Sequence, residues 1–230
     1  MALHVPADVS YGRAMDYLAV PLLGLLEGSP NGPFDTLEAQ ATDGFASQIP
    51  LTLVLAGARG GSVAWIAVED PARPWPALPK SGASAGPFYL VWEYPERSGI
   101  QTEQWPYALA SLTLAESPEH RWPQIALPAD VAADAASRRG GRVFIAQCFP
   151  CHRLYRGGNG EMGPDLGVPM SVTAYLTDAG LRAIIRDPRA VRVWPAQRMP
   201  AFGPSALPDA DLDAVIAYLH AIANRQTKGN

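Results

Sequence analysis

Cys148-Phe149-Pro150-Cys151-His152 is the stretch on which the reading of this chain turns. Two thiols three positions apart lie on one side of a helical turn, so both reach the two vinyl groups of a single porphyrin. The imidazole of the next residue is then directed at the iron. Two other chemistries use a Cys-x-x-Cys pair. A redox dithiol has no use for a histidine directly after the second cysteine. Half of a zinc site needs further Cys or His nearby, and after His152 only His220 remains. The chain holds no other cysteine, so two thioethers would leave none for disulfides. An oxidising compartment is thus allowed but not demanded.

Working outward from the motif, helical patterns flank it. Ala129–Arg139 is Ala-rich and favours a helix. After a glycine-rich stretch come Asp178–Arg186 and Asp209–Ala223. In the latter, Leu212, Val215, Ile216 and Leu219 recur at i, i+3, i+4 and i+7, an amphipathic stripe. Pro208 suits the entry to that helix, and Asp209 and Asp211 suit its positive N-terminal end.

From about residue 134 to 224 the chain resembles class I cytochromes c. Gly141 and Phe144 stand before the motif, and Tyr218-Leu219 on the last helix, where that family places a pair of crossing helices. The resemblance implies an all-α cytochrome c domain with one covalent haem c on Cys148 and Cys151 and with His152 on the iron. It also gives the Pro164 carbonyl, in Gly163-Pro164-Asp165-Leu166, the task of accepting a hydrogen bond from the ligand imidazole. The sixth ligand it implies is a methionine. Met199, in Arg198-Met199-Pro200-Ala201-Phe202, matches the family's methionine loop; Met162 lies close in sequence to His152, and Met170 sits in no matching motif. His/Met ligation leaves no open coordination position, which suits electron transfer rather than catalysis at iron. Trp194 and Arg192 are candidates for a haem propionate, with a half-buried indole and a solvated arginine as the plainer reading. Arg182, Arg186, Arg189, Arg192 and Arg198 would form a positive face for an acidic redox partner, or for the acidic first half of the chain.

Charge divides the chain near residue 130. Residues 1–130 hold fourteen acidic and six basic side chains, net −8; residues 131–230 hold eight and twelve, net +4. The expected architecture is therefore two domains, 1–130 and 131–230. The first reads as α+β, with strands at 51–55, 62–68, 88–92 and 107–114, a short helix at Pro21–Glu27 before the turn Gly28-Ser29-Pro30-Asn31-Gly32-Pro33, and a long loop at 70–87. Its Tyr17–Leu22, Ala41-Thr42-Asp43-Gly44-Phe45, Ile49-Pro50-Leu51 and Gly86–Trp92 segments resemble the molybdopterin domain of sulfite-oxidase-type enzymes, which implies a mixed central sheet. That family ligates molybdenum through a cysteine, and residues 1–147 contain none. The resemblance then implies a degenerate domain serving as a docking module.

The function expected from these readings is a periplasmic mono-haem carrier of single electrons between protein partners, its leader peptide removed. Two alternatives stand beside it: a molybdenum-pterin oxidoreductase fused to its haem acceptor, and a haem gas sensor. No apolar run reaches the roughly 18 residues of a membrane helix. A negative net charge without an aromatic-basic platform argues against nucleic acid.

Overall fold

The computed structural model describes residues 1–28, 32–132 and 135–228. The expected turn at Ser29-Pro30-Asn31, and residues 133–134 of the expected helix at 129–139, lie outside the described residues. The chain forms two compact units, Met1–Ser117 and Pro118–Asn230. The division thus falls before residue 130, because Pro118–Leu127 packs with the second unit.

Among the described residues the first unit has seven strands: β1 (Ala2–Asp8), β2 (Arg13–Pro21), β3 (Thr36–Ala41), β4 (Ala46–Pro50), β5 (Val63–Val68), β6 (Phe88–Glu93) and β7 (Leu109–Ala115). They make a four-stranded sheet in the order β1-β2-β5-β6 and a three-stranded sheet in the order β4-β3-β7. Every pairing among the described strands is antiparallel, so the expected mixed α+β sheet is corrected to two antiparallel sheets. The physical reason lies in the connections. A parallel pair needs a crossover of a dozen or more residues, whereas β1–β2 and β3–β4 are joined by tight turns. Gly12 and Gly44 supply the positive φ those turns require, at 63° and 90°. Asp43 assists the second turn by accepting a hydrogen bond from the Phe45 amide at 3.2 Å.

Leu51–Leu55, expected as a strand, is instead part of a short helix. A five-residue apolar run has no decisive period, and Pro50 ends the ladder of β4 just before it. The helices of this unit are α1 (Leu22–Leu25) and α2 (Leu51–Ala56). Both sheets feed one apolar core, in which Leu37, Ile49, Tyr89, Leu90, Val91 and Trp92 are almost fully buried. The buried Asp8 carboxylate ties that core together. It accepts from the Tyr17 hydroxyl at 2.8 Å and from the Tyr11 amide at 2.8 Å.

The second unit is helical: α3 (Pro118–Arg121), α4 (Ala136–Gln147), α5 (Val172–Tyr175), α6 (Asp178–Arg186), α7 (Pro188–Val191) and α8 (Asp209–Lys228). The described residues 129–132 form a turn and a bend rather than helix, and α4 begins at Ala136. Arg138 fixes that approach by donating to the Val131 carbonyl at 2.7 Å and the Pro128 carbonyl at 3.2 Å.

Helices α4 and α8 cross in close contact. Gly141 lies against the Tyr218 ring, 3.2 Å from where a Cβ would stand, as the family pattern implied. Gly140 is tighter still, because a Cβ there would strike the Ala214 carbonyl. Tyr218 is buried and donates its hydroxyl to the Ile125 carbonyl at 2.7 Å. Arg225 and Gln226 donate to the carbonyls of Pro123 and Gln124 at 2.7 and 3.0 Å. These bonds bind the segment before α4 to the last helix.

Two outcomes follow from this packing. Gly140→Ala forces the two helix backbones apart and should cost about 3 kcal/mol, the upper part of the usual overpacking range; a thermal midpoint of the second unit unchanged from wild type would contradict it. In the first unit, burial pushes the Glu103 carboxyl from 4.5 up to about 7, with Lys80 pulling the other way. Between those values the folded state binds more protons than the unfolded one, so stability falls as pH rises from about 4.5 to about 7. Glu103→Gln should flatten that slope in melts recorded across the same window.

Candidate haem site

The Cys-x-x-Cys-His stretch forms the turn that closes α4. The amides of Cys148 and Phe149 bond back to the Phe144 carbonyl at 2.8 and 2.9 Å, and those of Cys151 and His152 to the Cys148 carbonyl at 3.2 and 3.0 Å. A helical turn is thereby imposed on residues 148–152. Both cysteines are half-buried and free of disulfides. Phe149 points the other way, fully buried between Trp122 and Phe144, at ring separations of 5.5 and 5.9 Å.

The glycine-rich loop folds back on this turn. Gly163 donates its amide to the Cys151 carbonyl at 2.8 Å. A Cβ at Gly160 would come within 2.8 Å of Phe149 and Cys151 backbone atoms, and one at Gly163 would fall on the imidazole of His152, 2.6 Å from Nδ1. Only glycine leaves that ring its place. His152 Nδ1 then stands 2.9 Å from the Pro164 carbonyl. A carbonyl can only accept, so Nδ1 carries the proton and Nε2 keeps its lone pair. Burial lowers the imidazole pKa, and the Pro164 bond works against it to a smaller extent. Both conditions suit a neutral nitrogen donor.

Asp165 is the residue whose part the sequence did not disclose. Its carboxylate accepts from the amides of Tyr155, Arg156, Gly167 and Val168, at 3.0, 2.7, 2.8 and 3.1 Å. Tyr155 and Arg156 are both held at positive φ, 50° and 66°. Asp165 therefore fixes the loop on which Pro164 presents its carbonyl. The only sequence signal was its place directly after Pro164.

Of the three methionines in this unit, Met170 is 55% exposed. Met162 lies beside the motif, its sulfur 3.9 Å from Cys151 Sγ. Met199 is half-buried and packs on the apolar core that Cys148 also touches. The segment carrying it is pinned beyond by the Phe202 amide on the Ile185 carbonyl at 3.1 Å. Arg186 adds bonds to the carbonyls of Phe202 and Leu207 at 2.7 and 2.6 Å, and Gln147 one to Ala206 at 3.1 Å.

Trp194 and Arg192 are exposed, and among the described residues neither side chain is hydrogen-bonded. The expected five-arginine face is also altered. Arg182 pairs with Asp213 and Arg186 with Asp209, both on the first turns of α8. Arg189, Arg192 and Arg198 remain exposed without such a pairing. His220 pairs with Asp178 at 2.7 Å, far from any thiol partner role.

The donor set fits a covalently attached haem. It offers two half-buried thiols in one turn, an imidazole with its outer nitrogen engaged, and a glycine cradle that admits the ring. A helical unit with this turn at the end of its first long helix, crossed by its last, is a cytochrome c domain. Residues 135–219 match the family model described as Cytochrome C oxidase, cbb3-type, subunit III. The match covers a little over a third of the chain and none of the first unit. No curated protein and no solved structure matches the chain. The likeness of the first unit to a sulfite-oxidase-type domain therefore finds no support. Among the described residues no group of three or more His, Cys, Asp or Glu could hold a metal ion, and no helix is long and apolar enough to cross a membrane.

Gly163→Ala should displace His152 from the Pro164 carbonyl. Loss of that bond makes the imidazole less basic and stabilises ferric iron less, so the midpoint potential should rise. A spectroelectrochemical titration that returned the wild-type value would refute this role of the glycine.

Proposed function

We propose that the chain is a mono-haem c-type cytochrome that carries single electrons between protein partners in the periplasm. The observation that carries this reading is the His152–Pro164 bond at 2.9 Å, which engages Nδ1 and leaves Nε2 to act as a donor, in the residue that directly follows Cys151. Cys148 and Cys151 would hold the porphyrin by thioethers, and His152 and Met199 would ligate the iron. The group supplies a one-electron couple when bound. The chain's own residues set its conditions. Asp165 and Gly163 orient the imidazole, the Phe144–Phe149–Tyr218 cluster keeps water from the motif turn, and Arg186 and Gln147 hold the chain beyond Met199. Attachment of haem to Cys-x-x-Cys-His outside the cytoplasm supports the periplasmic assignment.

Partner docking is assigned to two surfaces. Arg189, Arg192 and Arg198 give the methionine side a positive rim suited to an acidic redox partner, where complementary charge mainly sets encounter rate and orientation. The first unit serves as the docking module. Its two open antiparallel sheets, of four and three strands, offer the surface for such recognition.

The test is a haem count together with a ligand probe, on full-length protein matured by a complete haem-attachment system. One c-type haem per chain is expected, with a ferrous form that ignores carbon monoxide. Met199→Ala should gain carbon monoxide binding while keeping its covalent haem. Carbon monoxide binding to the wild-type protein at neutral pH would replace the carrier reading with a sensor.

A further inference from the structure

The four-stranded sheet of the first unit ends in two edge strands, β1 and β6. Met1 and Ala19 exchange both backbone bonds, at 2.8 Å each. Antiparallel pairs alternate, so Leu3 and Val5 also bond toward β2, and the amide and carbonyl of His4 point off the edge. On β6 the Leu90 amide turns away from β5 to the Pro106 carbonyl at 3.0 Å. The backbone groups of Trp92, two residues on, therefore point off that edge as well. Among the described residues the outward groups of His4 and Trp92 find no backbone partner.

Both edges border one cavity of about 370 Å³. That volume lies in the range, roughly 300–1,000 Å³, in which proteins hold small molecules. Residues 4–7 of β1 form one wall; Trp92 and Glu93, the turn at residues 94–96 and Trp105 form the rest. Pro6 has no N–H to offer, which keeps another strand from pairing along the β1 edge.

The wall is acidic and aromatic. Glu93 is half-buried and Glu96 exposed, and among the described residues neither carboxylate has an ion pair. The imidazole of His4 is held by Asp16 at 2.7 Å. Arg97 stacks its guanidinium on the Tyr94 ring, 3.8 Å from the centroid, instead of meeting a carboxylate. Trp92 donates its indole N–H to the Gln104 carbonyl at 2.8 Å, which leaves only its apolar ring to the cavity. Tyr94 is held at φ 54°, a conformation that a bulky residue seldom adopts. The Ser62 hydroxyl and the Arg97 amide keep it there, bonding its carbonyl at 2.7 and 3.1 Å. Backbone strain fixed in this way collects at ligand sites.

We infer that this cavity binds a small organic ammonium ion with an apolar body. Glu93 and Glu96 answer its charge, through hydrogen bonds that ionisation of both partners strengthens. Trp92, Tyr94 and Trp105 receive the apolar body, and an aromatic face adds its own attraction for a cation. Haem plays no part in this site, which stands or falls apart from the carrier reading.

Isothermal titration calorimetry on full-length, haem-loaded protein tests it, with benzylammonium as the probe and benzyl alcohol as its uncharged counterpart. One saturable site per chain is expected, with the alcohol weaker by about tenfold or more. The double substitution Glu93→Gln and Glu96→Gln keeps the side-chain shapes and should weaken benzylammonium by a similar factor. Absence of saturable heat with benzylammonium overturns the inference. Equal affinity for the alcohol overturns it too, because the cavity would then be merely apolar. So does undiminished affinity in the double variant, which would put the bound amine elsewhere on the protein. The comparison of amine with alcohol needs no variant, so it decides the matter even where the double substitution prevents folding.

Discussion

The crossing of α4 and α8 is the constraint on which the rest of the second unit depends. It needs two consecutive glycines, Gly140 and Gly141, facing the Ala214 carbonyl and the Tyr218 ring. Once the helices are that close, the α4 C-terminus is fixed, and with it the turn holding Cys148, Cys151 and His152. The same contact fixes the first turns of α8. There Asp209, Asp211 and Asp213 each hold an arginine, Arg186, Arg139 and Arg182. Exposed pairs contribute little energy singly. Arg186 is different, because it also bonds two backbone carbonyls and is mostly covered. It transmits the position of α8 to the chain that follows Met199.

The two sides of the site are held by different means. On the histidine side the loop is fixed by its own backbone: glycines that admit no Cβ, and one carboxylate collecting four amides. Such a side is rigid because every displacement breaks several bonds at once. The methionine side is held at its ends, by Arg186, Gln147 and the α7 cap on Asp187, with the turn Trp194–Gln197 and irregular chain between.

The first unit follows another logic. Its strands alternate burial as half-covered strands should, β1 and β2 most clearly, yet β3 is buried on both faces between β4 and β7. Sequence alternation shows one covered face. It does not show which strand will be central, or which sheet it joins. That is why β1 to β4 escaped notice while β5 and β6, rich in aromatic and β-branched residues, stood out. A resemblance carried by short apolar motifs shares this weakness, because such motifs record burial and not topology.

By itself the sequence determined the cytochrome c domain around the motif turn, the amphipathic stripe of α8, and the opposite net charges of the two halves of the chain. Each of these is local: a spacing, a period or a sum over neighbours. Only the tertiary structure decided that both sheets are antiparallel, that Gly140 is the tighter of the glycine pair, that Asp165 holds the Pro164 loop, and that Arg182 and Arg186 pair with aspartates on the first turns of α8. These are contacts between residues far apart in the chain, or choices of which face is covered. A sequence lists the groups that can bond; packing decides which of them lose their water and must find a partner.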